Sequence, residues 1–132
     1  MLGEKIGETK GRRIVRRVLS VDPLTAEVTF EDAGTMFDVP VTGMGTYTSV
    51  VRADGSIFGN GQGMEMTGEG ESLIWTGSGL GHFGPGGSVS YRGMLFFQTT
   101  SKKLARMNNA CVAFEHETDS KGETISRLWE WK

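Results

Sequence analysis

The chain lacks most of the devices that stiffen, anchor or charge a small protein. Among its 132 residues is one cysteine, Cys111, so no intrachain disulfide is available. Fully apolar stretches such as Met94 to Phe97 are far too short to cross a bilayer as a helix. Met1 to Gly11 contains no apolar run of the kind a signal peptide needs, which makes the cytoplasm the expected compartment. The net charge of -2 gives no overall attraction to nucleic acid, and no membrane partner is expected. Only two histidines are present, His82 and His116, without the repeated ligand spacing of a metal site, so no metal and no cofactor is expected. Long helical periodicity is missing as well. The single helical candidate is Ser101 to Asn108, about two turns that Ser101 could cap.

Glycine, by contrast, is abundant. Of twenty glycines, fifteen fall between Gly43 and Gly93. Two runs alternate strictly: Gly59-Asn60-Gly61-Gln62-Gly63 and Gly77-Ser78-Gly79-Leu80-Gly81. Side chains on a strand alternate between faces, so each run strips one face bare. A close-packed neighbour is needed against such a face: a ligand, another subunit or another part of the fold.

Turn signals recur along the chain. They are Val21-Asp22-Pro23, Glu31-Asp32-Ala33-Gly34, Ala53-Asp54-Gly55, Thr67-Gly68-Glu69-Gly70, Gly84-Pro85-Gly86-Gly87 and Asp119-Ser120-Lys121-Gly122. Between them lie segments rich in Thr, Val, Ile and aromatic residues. The pattern predicts eight strands, at about 9–20, 24–31, 42–52, 56–66, 72–82, 88–99, 109–118 and 123–131. Thr35 to Val41 reads as a crossover loop or a short irregular strand. A meander of such strands most economically closes into a single all-β barrel domain over residues 1–132, an eight-stranded antiparallel up-and-down barrel; a sandwich is the alternative. The basic cluster Lys10, Arg12, Arg13, Arg16 and Arg17 reads as a solvated edge strand, with Arg12 and Arg16 on one face and Arg13 and Arg17 on the other.

The functional reading depends on which face is inward. Opposite the glycines, apolar residues mix with uncharged amides and hydroxyls, as in a cavity that holds a small, partly apolar molecule. On that assignment Phe58, Asn60, Gln62, Met64, Thr76, Ser78, Arg92 and Gln98 line the ligand site, beside Leu80, Met94 and Phe96. Gly59, Gly61, Gly77 and Gly79, with neighbouring Trp75, Tyr91, Leu95 and Phe97, then form an outward homo-oligomer interface. The inverse assignment, glycines inside and amides outside, stays open, because a slip of one residue exchanges every side chain.

Candidates for chemistry are few. Gly79-x-Gly81-x-x-Gly84 matches a dinucleotide fingerprint literally, but a turn and a new strand follow it where a helix would be required. Cys111 and Glu115 share a face; turned inward they would enter the cavity, and a buried carboxylate there could serve as acid or base. Otherwise Cys111 is a core filler and Glu115 is exposed. Arg92 could clamp an anionic ligand, or pair with Glu65 or Glu115. Trp129 and Trp131 could close the barrel with aromatic bulk or stack on a ligand. Ser101 to Asn108 would seal one barrel end as a plug or cover it as a lid.

Tyr47-Thr48-Ser49, then Arg52-Ala53-Asp54-Gly55-Ser56 and the glycine strands, resemble bacterial families with the allene oxide cyclase-like barrel, over about Gly43 to Gly93. The resemblance implies an eight-stranded meander that forms dimers or trimers. In plant cyclases such a barrel encloses an apolar oxylipin, and in dirigent proteins it steers radical coupling. No catalytic residue carries over from either. Two functions follow: a small-molecule binding barrel, or a cyclase- or isomerase-type enzyme acting on a flexible apolar substrate through Glu115, Cys111 or Arg92. A structural oligomer without ligand is the third. An inward carboxylate without a cationic partner would favour the enzyme.

Overall fold

A computed structural model describes residues 1–132. Eight strands wind in chain order: β1 (Leu2–Val21), β2 (Leu24–Met36), β3 (Val39–Val51), β4 (Ile57–Thr67), β5 (Ser72–Phe83), β6 (Val89–Thr99), β7 (Cys111–Thr118) and β8 (Glu123–Trp131). Each pairs antiparallel with the next, and β8 returns to β1, closing the barrel. Closure satisfies the backbone of every strand over most of its length and removes free edges.

The expected irregular segment at Thr35 to Val41 is instead a tight turn that continues the β2–β3 ladder. Met36 pairs with Val39, and Phe37 and Asp38 sit at φ 48° and 63°. Positive φ at both central residues matches the twist of a two-residue hairpin. The first strand also begins earlier than its sequence signals, because Leu2 to Lys10 pair with β8.

Beyond Arg12 and its partner Glu123, β1 runs on past β8, paired with β2 alone, while β2 stays paired with β3 as far as Thr25. A register shift between Arg13 and Val15 changes which residues share a face. Arg12 and Arg17 therefore both pair across the hairpin, with Glu31 at 3.1 Å and Glu27 at 2.8 Å. The expected split of the arginines ignored this bulge.

One barrel end is plugged. The β6–β7 connection carries a 3₁₀ helix, Ala105–Asn109, in place of two α-helical turns. Leu104 and Met107 are fully buried in it, against a core that includes Ile6, Met36, Val41, Leu73, Phe97, Val112 and Leu128. Burying each such side chain contributes about 1.5–3 kcal/mol. Asn108 fastens the segment: the Thr99 N–H donates to Asn108 Oδ1 at 2.8 Å, and Asn108 Nδ2 donates to the Thr99 carbonyl at 3.1 Å. No helix is long and apolar enough to cross a membrane.

Candidate functional site

The glycines face inward. On β4, Ile57, Gly59 and Glu65 are buried while Phe58, Asn60 and Gln62 are exposed; on β5, Leu73 and Gly81 are buried while Thr76, Ser78 and Leu80 are exposed. The favoured face assignment is thus reversed. The side chains of Phe58, Asn60, Gln62, Met64, Thr76, Ser78, Arg92 and Gln98 lie on the outer wall, on the strand face opposite Gly59, Gly61, Gly77 and Gly79. Those four glycines cannot form a subunit interface, because they line the interior.

Their purpose is to make room for rings. A Cβ on Gly63 would lie 2.4 Å from Trp75, and one on Gly45 2.5 Å from the same ring. At Gly59 and Gly81 it would stand 2.9 and 2.7 Å from Tyr91; at Gly79 and Gly93 it would meet Phe114 at 2.9 Å. Real Cβ atoms do not approach so closely. Each large ring therefore lies against the bare backbone of the two strands that precede its own. The rings also touch one another: Phe30 stacks on Trp75 with centroids 6.4 Å apart, and Tyr47 meets Tyr91 edge-on at 5.5 Å.

What the rings leave open is a cavity of about 80 Å³ to which all eight strands contribute. Its aromatic side comprises Phe30, Tyr47, Trp75, Tyr91, Phe97 and Phe114. Thr9, Asp32, Glu65, His116 and Ser126 supply the polar side. Asn60 and Ser78 border it too, from between the glycines, with their side chains pointing away.

Local register builds the polar side. Asp32 on β2 pairs with Gly43 on β3, and Gly43 pairs with Glu65 on β4. A Cβ at Gly43 would overlap the Glu65 carboxyl group, so the absent side chain is the space in which that group lies. Thr9 Oγ1 donates to Asp32 Oδ2 at 3.0 Å. Asp32 Oδ1 and Glu65 Oε2 are buried with no donor. Two ionised carboxylates cannot hydrogen-bond each other; one proton between them creates the bond. Burial, then the hydrogen bond and negative charge of Asp32, push the Glu65 carboxyl up to about 10, so it holds its proton at neutral pH. No lysine or arginine borders the cavity, and neither carboxylate belongs to any ion pair of the protein.

On β7, His116 is 6% exposed and packs against Phe30 with centroids 4.9 Å apart. Its Nδ1 lies 2.7 Å from Ser126 Oγ, and its Nε2 has no partner. Burial lowers its pKa to about 4, so the ring is neutral at physiological pH. Tyr91 and Ser49 share a hydrogen bond of 2.7 Å, and burial pushes both cavity tyrosines, Tyr47 and Tyr91, above the ordinary tyrosine range.

The other sequence candidates fall elsewhere. Arg92 pairs with Glu115 at 3.1 Å across β6 and β7, with the arginine well exposed. Cys111 is exposed, as is His82. Trp131 is 54% exposed, and Trp129 shares its strand face opposite buried Leu128, so neither fills the interior. Sequence reasoning missed Asp32 because Glu31-Asp32-Ala33-Gly34 looks like a turn; it lies inside β2. Glu65 left a signal: it is the one carboxylate in the alternating series of the glycine face.

No family model and no curated protein matches this sequence. Solved structures do match its fold. A protein of unknown function from Clostridium acetobutylicum ATCC 824 superposes with a TM-score of 0.84 at 11% identity, over 98% of this chain and 99% of that one. A β-barrel-like protein from Acinetobacter baumannii AYE gives 0.79 at 12% identity, over 100% and 96%. An enzyme from Penicillium herquei gives 0.68 at 18% identity, over 96% and 92%. At these identities the likeness concerns the barrel alone.

Proposed function

We propose that the barrel binds one small, partly apolar molecule in its interior, with the polar end of that molecule on the Asp32, Glu65 and His116 side and its apolar body among the rings. One observation carries this reading. Three of the four buried side-chain polar atoms with no partner beyond the proton that Asp32 and Glu65 share, Asp32 Oδ1, Glu65 Oε2 and His116 Nε2, belong to residues that border the same cavity. Leaving such a group unpaired costs about 1–3 kcal/mol, so a ligand that pairs them recovers a large part of that cost. Native mass spectrometry of the protein from its own host tests the reading: a co-purified small molecule is expected, lost on Glu65→Gln. An empty barrel that also takes up no small molecule in vitro contradicts it.

A specific observation also favours turnover. Glu65 is an inward carboxyl with no cationic partner, held protonated beside a second carboxyl group. That pairing of donor and acceptor suits acid–base rearrangement of a bound substrate, the cyclase- or isomerase-type alternative, with Asp32 and Glu65 replacing Glu115, Cys111 and Arg92 as the working groups. The fold is compatible with catalysis, as the enzyme from Penicillium herquei illustrates.

The homo-oligomer expected from the sequence moves to the opposite face. The outer faces of β4 and β5 carry Phe58, Asn60, Gln62, Met64 and Met66, then Ser72, Ile74, Thr76, Ser78, Leu80 and His82, with no Lys, Arg, Asp or Glu. A face without charge meets its own copy without like-charge repulsion, as a twofold contact requires. The same native spectra give the subunit count. More than one subunit is expected, reduced to one by Ile74→Glu; a wild-type monomer at high concentration contradicts the interface.

A further inference from the structure

We propose that the molecule held in the cavity is an organic cation: a protonated primary amine whose ammonium sits on Asp32, Glu65 and His116 and whose body lies among Phe30, Tyr47 and Trp75. This rests on the interior-binding reading above and specifies its ligand class.

Charge comes first. Asp32 and Glu65 share a row across Gly43 inside a closed barrel, and no basic side chain borders the cavity. Carboxyl groups so buried normally have a cation or a full set of donors. Here the donors are the Thr9 hydroxyl on Asp32 and the proton that Asp32 and Glu65 share, with no cation. An anionic ligand on that side would meet like charge; the guanidinium groups of Arg13 and Arg16 act on Tyr47 but do not border the cavity.

Hydrogen-bond capacity comes second. An alkylammonium has three N–H donors and no acceptor. Once the proton shared by Asp32 and Glu65 has left, the cavity offers acceptor atoms on three residues, Asp32 Oδ1, Glu65 Oε2 and His116 Nε2, for which the protein supplies no other donor. In the tautomer whose Nδ1 donates to Ser126 Oγ, the imidazole Nε2 is an acceptor, and that is the tautomer an ammonium selects. His116 is buried on β7, far in sequence from both carboxylates, and points to a ligand independently of them.

The walls come third. Phe30, Tyr47 and Trp75 line the cavity, and an ammonium held beside aromatic rings gains cation–π attraction, strongest where water is excluded.

A proton accompanies the ligand. The titratable groups facing the site are Asp32 from β2, Tyr47 from β3, Glu65 from β4, Tyr91 from β6 and His116 from β7. Of these, Glu65 carries the proton that the pair holds without a cation. An arriving ammonium takes over its role, so binding releases that proton to solvent.

Isothermal titration calorimetry tests the assignment with 2-phenylethylamine, its neutral isostere 2-phenylethanol, and phenylacetate, in two buffers of different ionisation enthalpy at neutral pH. The amine is expected to bind about tenfold or more tightly than the alcohol, with phenylacetate inert and close to one proton released. Asp32→Asn and Glu65→Gln should each lose about tenfold for the amine and little for the alcohol, while Gln62→Ala on the outer wall changes nothing. Equal binding of amine and alcohol overturns the cation assignment and leaves interior binding intact, as does a neutral molecule co-purifying with a barrel that ignores amines. Failure of all three probes at millimolar concentration, with no co-purified molecule, overturns both readings.

Discussion

Asp32 and Glu65 face each other across the bare backbone of Gly43, one residue from each of three adjacent strands. Glycine is therefore as much a part of the polar site as either acid. Gly43→Ala places a methyl group where the Glu65 carboxyl and the Met64 carbonyl already lie. The expected cost is about 3 kcal/mol, at the upper end for overpacking a filled interior, because backbone as well as side chain must move. Urea denaturation measures it. Thr42→Ala, next in the chain but on the outer face, should stay within about 0.5 kcal/mol.

The buried groups also give stability a definite pH dependence. Glu65 binds its proton far more tightly folded than unfolded, so the native state keeps a proton that the unfolded chain loses above its ordinary value of 4.5. Its contribution is fully present below that value and drains away as pH rises toward about 10. His116 acts the other way and lower down: unfolding lets it take up a proton below 6.5, so stability is lost as pH falls from 6.5 toward about 4. Between neutral pH and about pH 9 the Glu65 effect stands alone among these two, with a slope of at most about 1.4 kcal/mol per pH unit. Thermal melts over that range should fall for the native protein and flatten for Glu65→Gln.

The inward direction of the glycines is tested by a pair of neighbours on β4. Gly63→Ala drives a methyl group into the Trp75 ring, whereas Gln62→Ala trims an exposed side chain. Expected losses are about 2–3 kcal/mol for the first and under about 0.5 kcal/mol for the second. Trp75 fluorescence should shift in Gly63→Ala and not in Gln62→Ala. The opposite ranking would put the amides inside.

Much of the fold was legible in the sequence, because turn chemistry and β-rich segments are local signals. Gly55 and Gly122 adopt positive φ in turns that their sequences announce. The N-terminal half of β1 was not legible: Gly3, Glu4, Lys5 and Glu8 look like a tail, and β8 makes them a strand. Facing was the harder matter. A strand of alternating glycine is ambiguous, since bare backbone can receive either a neighbouring molecule or a ring from the same barrel. What decides it is Trp75, Tyr91 and Phe114, each of which lies over glycines of other strands. That is long-range packing, which periodicity in a single strand does not encode. The same error hid the site, because Glu65 and His116 became informative only once their faces were known to be buried.

Carbon-13 NMR of the side-chain carboxyl of Glu65, followed through a pH titration of the protein, tests most directly that the glycine face encloses a carboxyl pair. The expected signal is that of a protonated carboxylic acid at neutral pH, ionising only well above the ordinary carboxylate range, and shifting downward in Asp32→Asn. A Glu65 signal that titrates near 4.5 and ignores Asp32→Asn would mean a solvated carboxylate, and would contradict both the enclosed pair and the ligand site built on it.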